Sequence, residues 1–286
     1  MISHPHDLHS TRIAAVNVDT DSIRTDLAAV DRLVGRDTYS EFSFGRWHSH
    51  VLANATGDET DDEFRPQSSP AIVTPLGKSL PAILALVENT FYLDRLRWIR
   101  VLTQTDGLLI PHVDFIEFNR STTRLQLPLR TTPSCLHSEG QNVMHMRPGE
   151  VWFLDATMVH AAYSPPGPSR VALCLDFDIP RQDIMTCLRQ PSKSAQPPSL
   201  VERPPLERDQ VKSLIDLGSI LDLSTIRDIL RLLGIVHFRR QVHAAACFEW
   251  LVAAAERSRN ALLVQRAQEY RTYCLYERKY GKHFTW

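Results

Sequence analysis

In Ile110-Pro111-His112-Val113-Asp114-Phe115, an extended strand sends His112 and Asp114 to one face and Val113 and Phe115 to the other, because strand side chains alternate with period two. The pair offers one imidazole and one carboxylate to the same side. One distant histidine would complete a set of two imidazoles and a carboxylate.

The surroundings of this stretch are rich in strand signals. From Leu96 to Asp178, short apolar or alternating runs broken by turns lie at 97–104, 107–118, 123–130, 142–146, 150–155 and 169–178. That spacing predicts an all-β barrel or sandwich. In Thr123-Arg124-Leu125-Gln126-Leu127-Pro128-Leu129 the leucines alternate with Arg124 and Gln126. If the leucines pack outward under covering helices, Arg124 points into the barrel, and Arg100 in Trp98-Ile99-Arg100-Val101-Leu102 is placed alike. Interior arginines require anions, since an unpaired buried charge is costly. The alternative is a set of exposed arginines on an outer sheet face.

Outward from the β region, residues 1–12 read as a loose polar leader and 13–18 as a strand. Ile23, Leu27, Val30 and Val34 recur at helical spacing, with Gly35 as a stop. Phe42, Phe44 and Trp47 suggest a short strand pair turning near Gly45, and the acidic stretch 55–70 is expected to be a long loop, either a lid or a surface excursion. Residues 80–93 read as a helix with Ile83, Leu86, Val87 and Phe91 on one face. Five prolines between 188 and 208 suggest a linker or surface strap. Beyond it, 211–217, 224–233, 245–257 and 261–276 read as helices, with Gly218 and Gly234 as stops. The expected organisation is a catalytic domain over 1–187, a linker over 188–208 and a helical subdomain over 209–286.

A chain of 286 residues, 43% apolar and 23% charged, has the composition of an ordinary globular protein. A formal net charge of −1 gives no reason to expect a nucleic-acid or anionic-membrane partner. The cysteines number five and form no C-x-x-C pair, and no apolar run approaches membrane-spanning length. A reduced, cytoplasmic setting is expected.

His160 is the candidate third ligand. It follows the strand 150–155, whose start is marked by the turn Pro148-Gly149, and Arg170 stands ten residues further on. Two histidines and a carboxylate form the facial triad of non-haem Fe(II) oxygenases, which leaves positions open for a co-substrate and dioxygen. Zinc is the competing metal for the same donors. Arg170, always charged and bidentate, suits the distal carboxylate of 2-oxoglutarate. His137 either hydrogen-bonds a co-substrate carboxylate or serves a loop. His145 reads as a packed strand residue, and His237 and His243 fall at helix ends, where the dipole favours a cation.

Several motifs carry a resemblance. They are Phe42-Ser43-Phe44-Gly45-Arg46-Trp47, Thr74-Pro75-Leu76-Gly77-Lys78-Ser79-Leu80-Pro81, the His112 stretch, and His145-Met146-Arg147-Pro148-Gly149-Glu150-Val151-Trp152-Phe153-Leu154-Asp155-Ala156. With Phe248-Glu249-Trp250-Leu251 they make the chain similar to the bacterial Fe(II)/2-oxoglutarate-dependent hydroxylases of free L-proline, of the cis-3 and cis-4 types. The resemblance implies a double-stranded β-helix (jelly-roll, cupin-like) core with flanking helices. It places His112, Asp114 and His160 on iron, Arg170 on 2-oxoglutarate, and Arg100 and Arg124 on the substrate carboxylate, with Trp47 and the loop around Thr56 shaping the pocket. Proline is the expected substrate, with a six-membered analogue such as pipecolate fitting the same logic. Asp114 occupies the position that an iron halogenase leaves open, so hydroxylation is the expected outcome. The readings set against it are the same chemistry on a peptide- or carrier-bound residue, and a metal-binding jelly roll without turnover.

Overall fold

A computed structural model describes residues 8–19, 21–34, 40–63, 69–114, 122–190, 198–278 and 283–286. Phe115, the stop expected at Gly35, residues 64–68 of the acidic loop and 191–197 of the proline-rich stretch lie outside the described residues. Ten strands among the described residues form one sheet: β1 (Thr11–Ala15), β2 (Ser43–Asn54), β3 (Ile72–Val73), β4 (Leu96–His112), β5 (Thr122–Arg130), β6 (Leu136–Glu139), β7 (Asn142–Met144), β8 (Glu150–Leu154), β9 (His160–Ser164) and β10 (Arg170–Asp178). Their order is β1-β8-β5-β10-β4-β9-β6-β7, with β2 also paired to β4, and β3 to β2. Every pairing is antiparallel. The sheet folds over on itself as a jelly roll.

β4 makes that folding possible. The run expected at 97–104 and the first part of that expected at 107–118 are one strand as far as His112, whose first half pairs with β10 up to Gln104↔Arg170 and whose second half pairs with β9 from Gly107↔Ser164 to His112↔His160. The bend between them falls at Asp106, whose φ is +46°. The expected turn at Gly45 is instead a bulge inside the continuous strand β2, opposite that bend, with φ +78°. A Cβ on Gly45 would lie 1.8 Å from the Asp106 carbonyl oxygen, so only glycine lets the two backbones meet there.

Alternation sorts the two faces of the sheet. Leu125, Leu127, Leu129, Leu173 and Leu175 pack outward in one core with Leu27, Ile83 and Val87. The last three come from α1 (Arg24–Val30) and α3 (Pro81–Thr90), the latter entered through the short α2 (Pro75–Lys78). A fully buried leucine contributes about 1.5–3 kcal/mol. A one-residue slip of β5 would turn all three of its leucines into the polar interior and push Arg124 into the apolar layer, so the register is strongly fixed. Arg100, Arg124, Gln126, Arg170 and Asp176 therefore face inward, all buried.

The C-terminal helices are α4 (Arg208–Asp216), α5 (Ile226–Arg239), α6 (Ala246–Arg257) and α7 (Ala261–Leu275). α5, α6 and α7 share a core with β2 and the second half of β4, joining Phe44, Leu108 and Ile110 to Ile229, Leu233, Phe248 and Tyr270. Residues 198–207 form an extended strap. Its Val201 N–H donates to the Val143 carbonyl at 2.8 Å, and Arg203 donates to the carbonyls of Gln141, His237 and Arg240.

Two expectations are corrected. The leader is anchored from residue 8 onward, with Ser10 buried and its N–H donating to Glu139 at 2.9 Å. His237, expected as a helix-end cation, is 1% exposed and held neutral. Its Nδ1–H donates to the Val242 carbonyl at 2.7 Å, its buried Nε2 meets no partner among the described residues, and burial pushes its pKa down to about 3. Burial overrides the helix dipole here. Among the described residues, all five cysteines are free and no helix is long and apolar enough to cross a membrane.

Candidate active site

The two histidines of the proposed triad are cross-strand partners. His112 ends β4, His160 begins β9, and the sheet pairs them directly, with ring centroids 4.3 Å apart. Asp114 follows on the same face, its N–H donating to the Ala156 carbonyl at 2.9 Å. One ligand atom from each of His112, Asp114 and His160 lies within 4.8 Å of the others, and all three residues are buried. Each histidine donates Nδ1–H to the carbonyl two residues earlier, His112 to Ile110 at 2.8 Å and His160 to Met158 at 2.9 Å. Both Nε2 lone pairs are thus left for a metal, the arrangement that fixes ligand tautomer and orientation. Burial, and then the neighbouring His160, hold the His112 pKa well below the usual histidine value, so the ring is in its ligating neutral form. The Asp114 carboxylate is split between two tasks: Oδ2 accepts Arg124 Nη1 at 2.8 Å, while Oδ1 faces His112 Nε2 at 3.6 Å. Two oriented imidazoles and one carboxylate on one side of a buried point fit Fe(II).

Behind the triad lies a charged interior. Asp176, fully buried, accepts Arg124 Nε at 2.7 Å and Nη2 at 3.1 Å, and also accepts Arg100 Nη2 at 3.2 Å. Arg100 also stacks over Trp98, 3.7 Å from the ring centroid. The anion that the interior arginines require is therefore partly internal. Sequence reading missed Asp176, although alternation with Arg170 and Cys174 puts it on the inward face.

Arg170 differs from the other two. It is 3% exposed, and its hydrogen-bond partner among the described residues, Gln126 Oε1 at 2.9 Å, is a neutral amide. Burial pushes its pKa below the ordinary arginine value. A buried guanidinium held this way is poised for a ligand carboxylate. His137 sits on the same side, its ring 6.2 Å from that of His160, and burial, with His160 and Arg170 nearby, holds it neutral. Trp47 is buried in register with Gln104, which is in turn opposite Arg170, and its indole N–H has no hydrogen-bond acceptor among the described residues. Thr56 is exposed, and its hydroxyl bonds stay within its own loop, to Asn54 and Asp61. The structure thus gathers His112, Asp114, His160, Arg124, Arg100, Arg170 and His137 in the interior and places Thr56 outside it. Phe42, stacked on His112 at 5.0 Å, and Arg278, whose guanidinium approaches Asp114, were not legible in the sequence.

Comparison with known proteins agrees with this geometry. The aspartyl/asparaginyl β-hydroxylase family profile matches residues 18–180, and the L-proline 3-hydroxylase C-terminal profile matches 182–282. The chain is 30% identical to L-proline cis-3-hydroxylase 1 of a Streptomyces species over 97% of this chain and 99% of that one. It is 28% identical to L-proline cis-4-hydroxylase of Rhizobium meliloti (strain 1021) over 96% of this chain and 98% of that one. Matched nearly end to end by such relatives and over more than half its length by the first profile, the chain belongs to the L-proline hydroxylase branch of the aspartyl/asparaginyl β-hydroxylase family.

Proposed function

We propose that this protein is an Fe(II)- and 2-oxoglutarate-dependent dioxygenase that hydroxylates an unactivated C–H of a free amino acid, L-proline first and its cyclic analogue pipecolate second. The observation that carries the reading is Arg170, a buried guanidinium whose partner is a neutral amide, in the same interior as a converged His112–Asp114–His160 set. Fe(II), when bound, supplies the chemistry by which dioxygen oxidises 2-oxoglutarate to succinate and carbon dioxide while one oxygen atom enters the substrate C–H.

The protein's own residues do the positioning. Arg170, oriented by Gln126, receives the distal carboxylate of 2-oxoglutarate, and neutral His137 stands near both Arg170 and His160 without carrying a charge of its own. Arg124 holds the outer oxygen of Asp114 and so aims the other at the metal position. Arg100 and Arg124 converge on Asp176 beside the triad. This cationic wall suits the carboxylate of an amino acid, and Trp47 Nε1–H adds a buried donor to it. Enclosure of these groups excludes bulk water and strengthens each contact.

The test is succinate release under air with Fe(II), 2-oxoglutarate and a panel of free amino acids, alongside proline-containing peptides. Turnover stimulated by free proline or pipecolate, with one hydroxylated product per succinate, is the expected result. Tight 2-oxoglutarate binding without stimulation by any free amino acid overturns the proposal, and preference for a peptide replaces the substrate class.

A further inference from the structure

The metal-binding strand loses its sheet partner at the point where its chemistry begins. β4 ends at His112, so Val113, the residue between two ligands, has no ladder neighbour among the described residues. Both of its backbone groups are taken up by the C-terminal end of the chain. The Val113 N–H donates to the Cys274 carbonyl at 3.0 Å, one of the last-turn carbonyls that α7 leaves without an intrahelical partner. The Val113 carbonyl accepts Arg278 Nη2 at 2.5 Å. The same guanidinium lies 4.0 Å from Asp114 Oδ1 and covers the Phe42 ring at 4.5 Å. Phe42 in turn stacks on His112 at 5.0 Å and on Tyr273 of α7 at 5.4 Å.

One arginine therefore touches the backbone between the two ligands, the carboxylate of one and the aromatic support of the other. We propose that Arg278 is a positioning residue of the metal centre, and that the end of α7 takes the place of a sheet partner in holding the His112–Asp114 segment in its ligating shape. The inference rests on the triad being the metal site, and its test separates the two. A peptide plane freed at Val113 can rotate, and a small rotation there moves the Asp114 carboxylate off the point faced by both Nε2 atoms. Loss of such an outer-sphere support lowers metal affinity roughly 10- to 100-fold.

The experiment is anaerobic titration of the full chain with Co(II) in place of Fe(II), followed by visible absorption, for wild type, Arg278→Gln and Arg278→Met. Arg271→Gln is the control, because Arg271 lies on α7 itself but pairs outward with Glu249 at 3.1 Å. Roughly 10-fold or greater weakening in both Arg278 variants, with the control unchanged, is expected. Wild-type affinity in either folded Arg278 variant overturns the proposal. If neither variant folds, the wild-type protein decides. Metal and helix end are coupled reciprocally, so Co(II) must slow amide hydrogen exchange in the last turn of α7, and unchanged exchange there overturns the proposal. His160→Ala tests the underlying site separately: if it still binds Co(II), the triad reading fails whatever Arg278 does.

Discussion

Asp176→Asn isolates the one carboxylate on which the interior depends. The wild-type side chain is fully buried, bridges two guanidiniums, and engages Arg124 through both oxygens at 2.7 and 3.1 Å and Arg100 at 3.2 Å. Asparagine keeps the shape and one acceptor but removes the charge, and its amide N–H groups oppose a guanidinium that also only donates. Breaking a buried ion pair by neutralising one partner costs about 3–5 kcal/mol, against a total stability of about 5–15 kcal/mol for a typical domain. In a chain of this size each kcal/mol moves the melting point by about 2–4 °C, so a fall on the order of 6–20 °C is expected. Urea unfolding followed by circular dichroism measures the free energy directly. Arg124 also links Asp176 to Asp114, so the same variant binds Co(II) more weakly than wild type. The double variant Asp176→Asn/Arg100→Met restores the charge balance and recovers roughly 1–3 kcal/mol relative to additivity. A single variant within about 1 kcal/mol of wild type, with unchanged metal affinity, would refute the argument that this carboxylate neutralises the interior.

The His237 pKa falls from 6.5 in the unfolded chain to about 3 in the fold, so the unfolded state binds more protons between those values. The resulting stability is complete above pH 6.5 and declines as pH falls toward 3, by up to about 5 kcal/mol. Urea unfolding at a series of pH values should show that decline, and a His237→Gln variant that keeps the full slope sinks the assignment. Gly45→Ala must place a Cβ 1.8 Å from a backbone oxygen at φ +78°, and a loss of at least about 2 kcal/mol in the same assay is expected. An unchanged midpoint contradicts the account of the β4 bend. Arg170→Met is expected to raise the KM for 2-oxoglutarate roughly 10- to 100-fold, from the loss of a charge-assisted carboxylate contact. An unchanged KM removes Arg170 from that role.

Sequence alone was enough for whatever depends on near neighbours in the chain. Period-two alternation put His112 with Asp114, and set Leu125, Leu127 and Leu129 against Arg124. Helical spacing located α6 and α7 to within a residue or two, but α5 runs on to Arg239 through Gly234, the expected stop, which is buried against Leu108 and Ile110 and leaves no room for a side chain there. Turn residues bounded β8, and with it the approach to His160. The short strands β6 and β9 (Leu-His-Ser-Glu and His-Ala-Ala-Tyr-Ser) went unread, because four or five residues carry too little pattern to separate strand from loop.

Tertiary structure decided which residues meet. The pairing of His112 with His160, the closure of Asp176 on Arg100 and Arg124, the neutral partner of Arg170, and the reach of Arg278 to Val113 each join positions far apart in the chain. None follows from local periodicity, which says which face a side chain takes and nothing about what stands opposite. The continuous bent β4 was hidden for the same reason: its bend at Asp106 is enforced by the approach of Gly45 on another strand. Alternation is a property of one strand's backbone and is written in its residues. Register and enclosure belong to the folded sheet, and they turn a histidine, an aspartate and a distant histidine into one metal site.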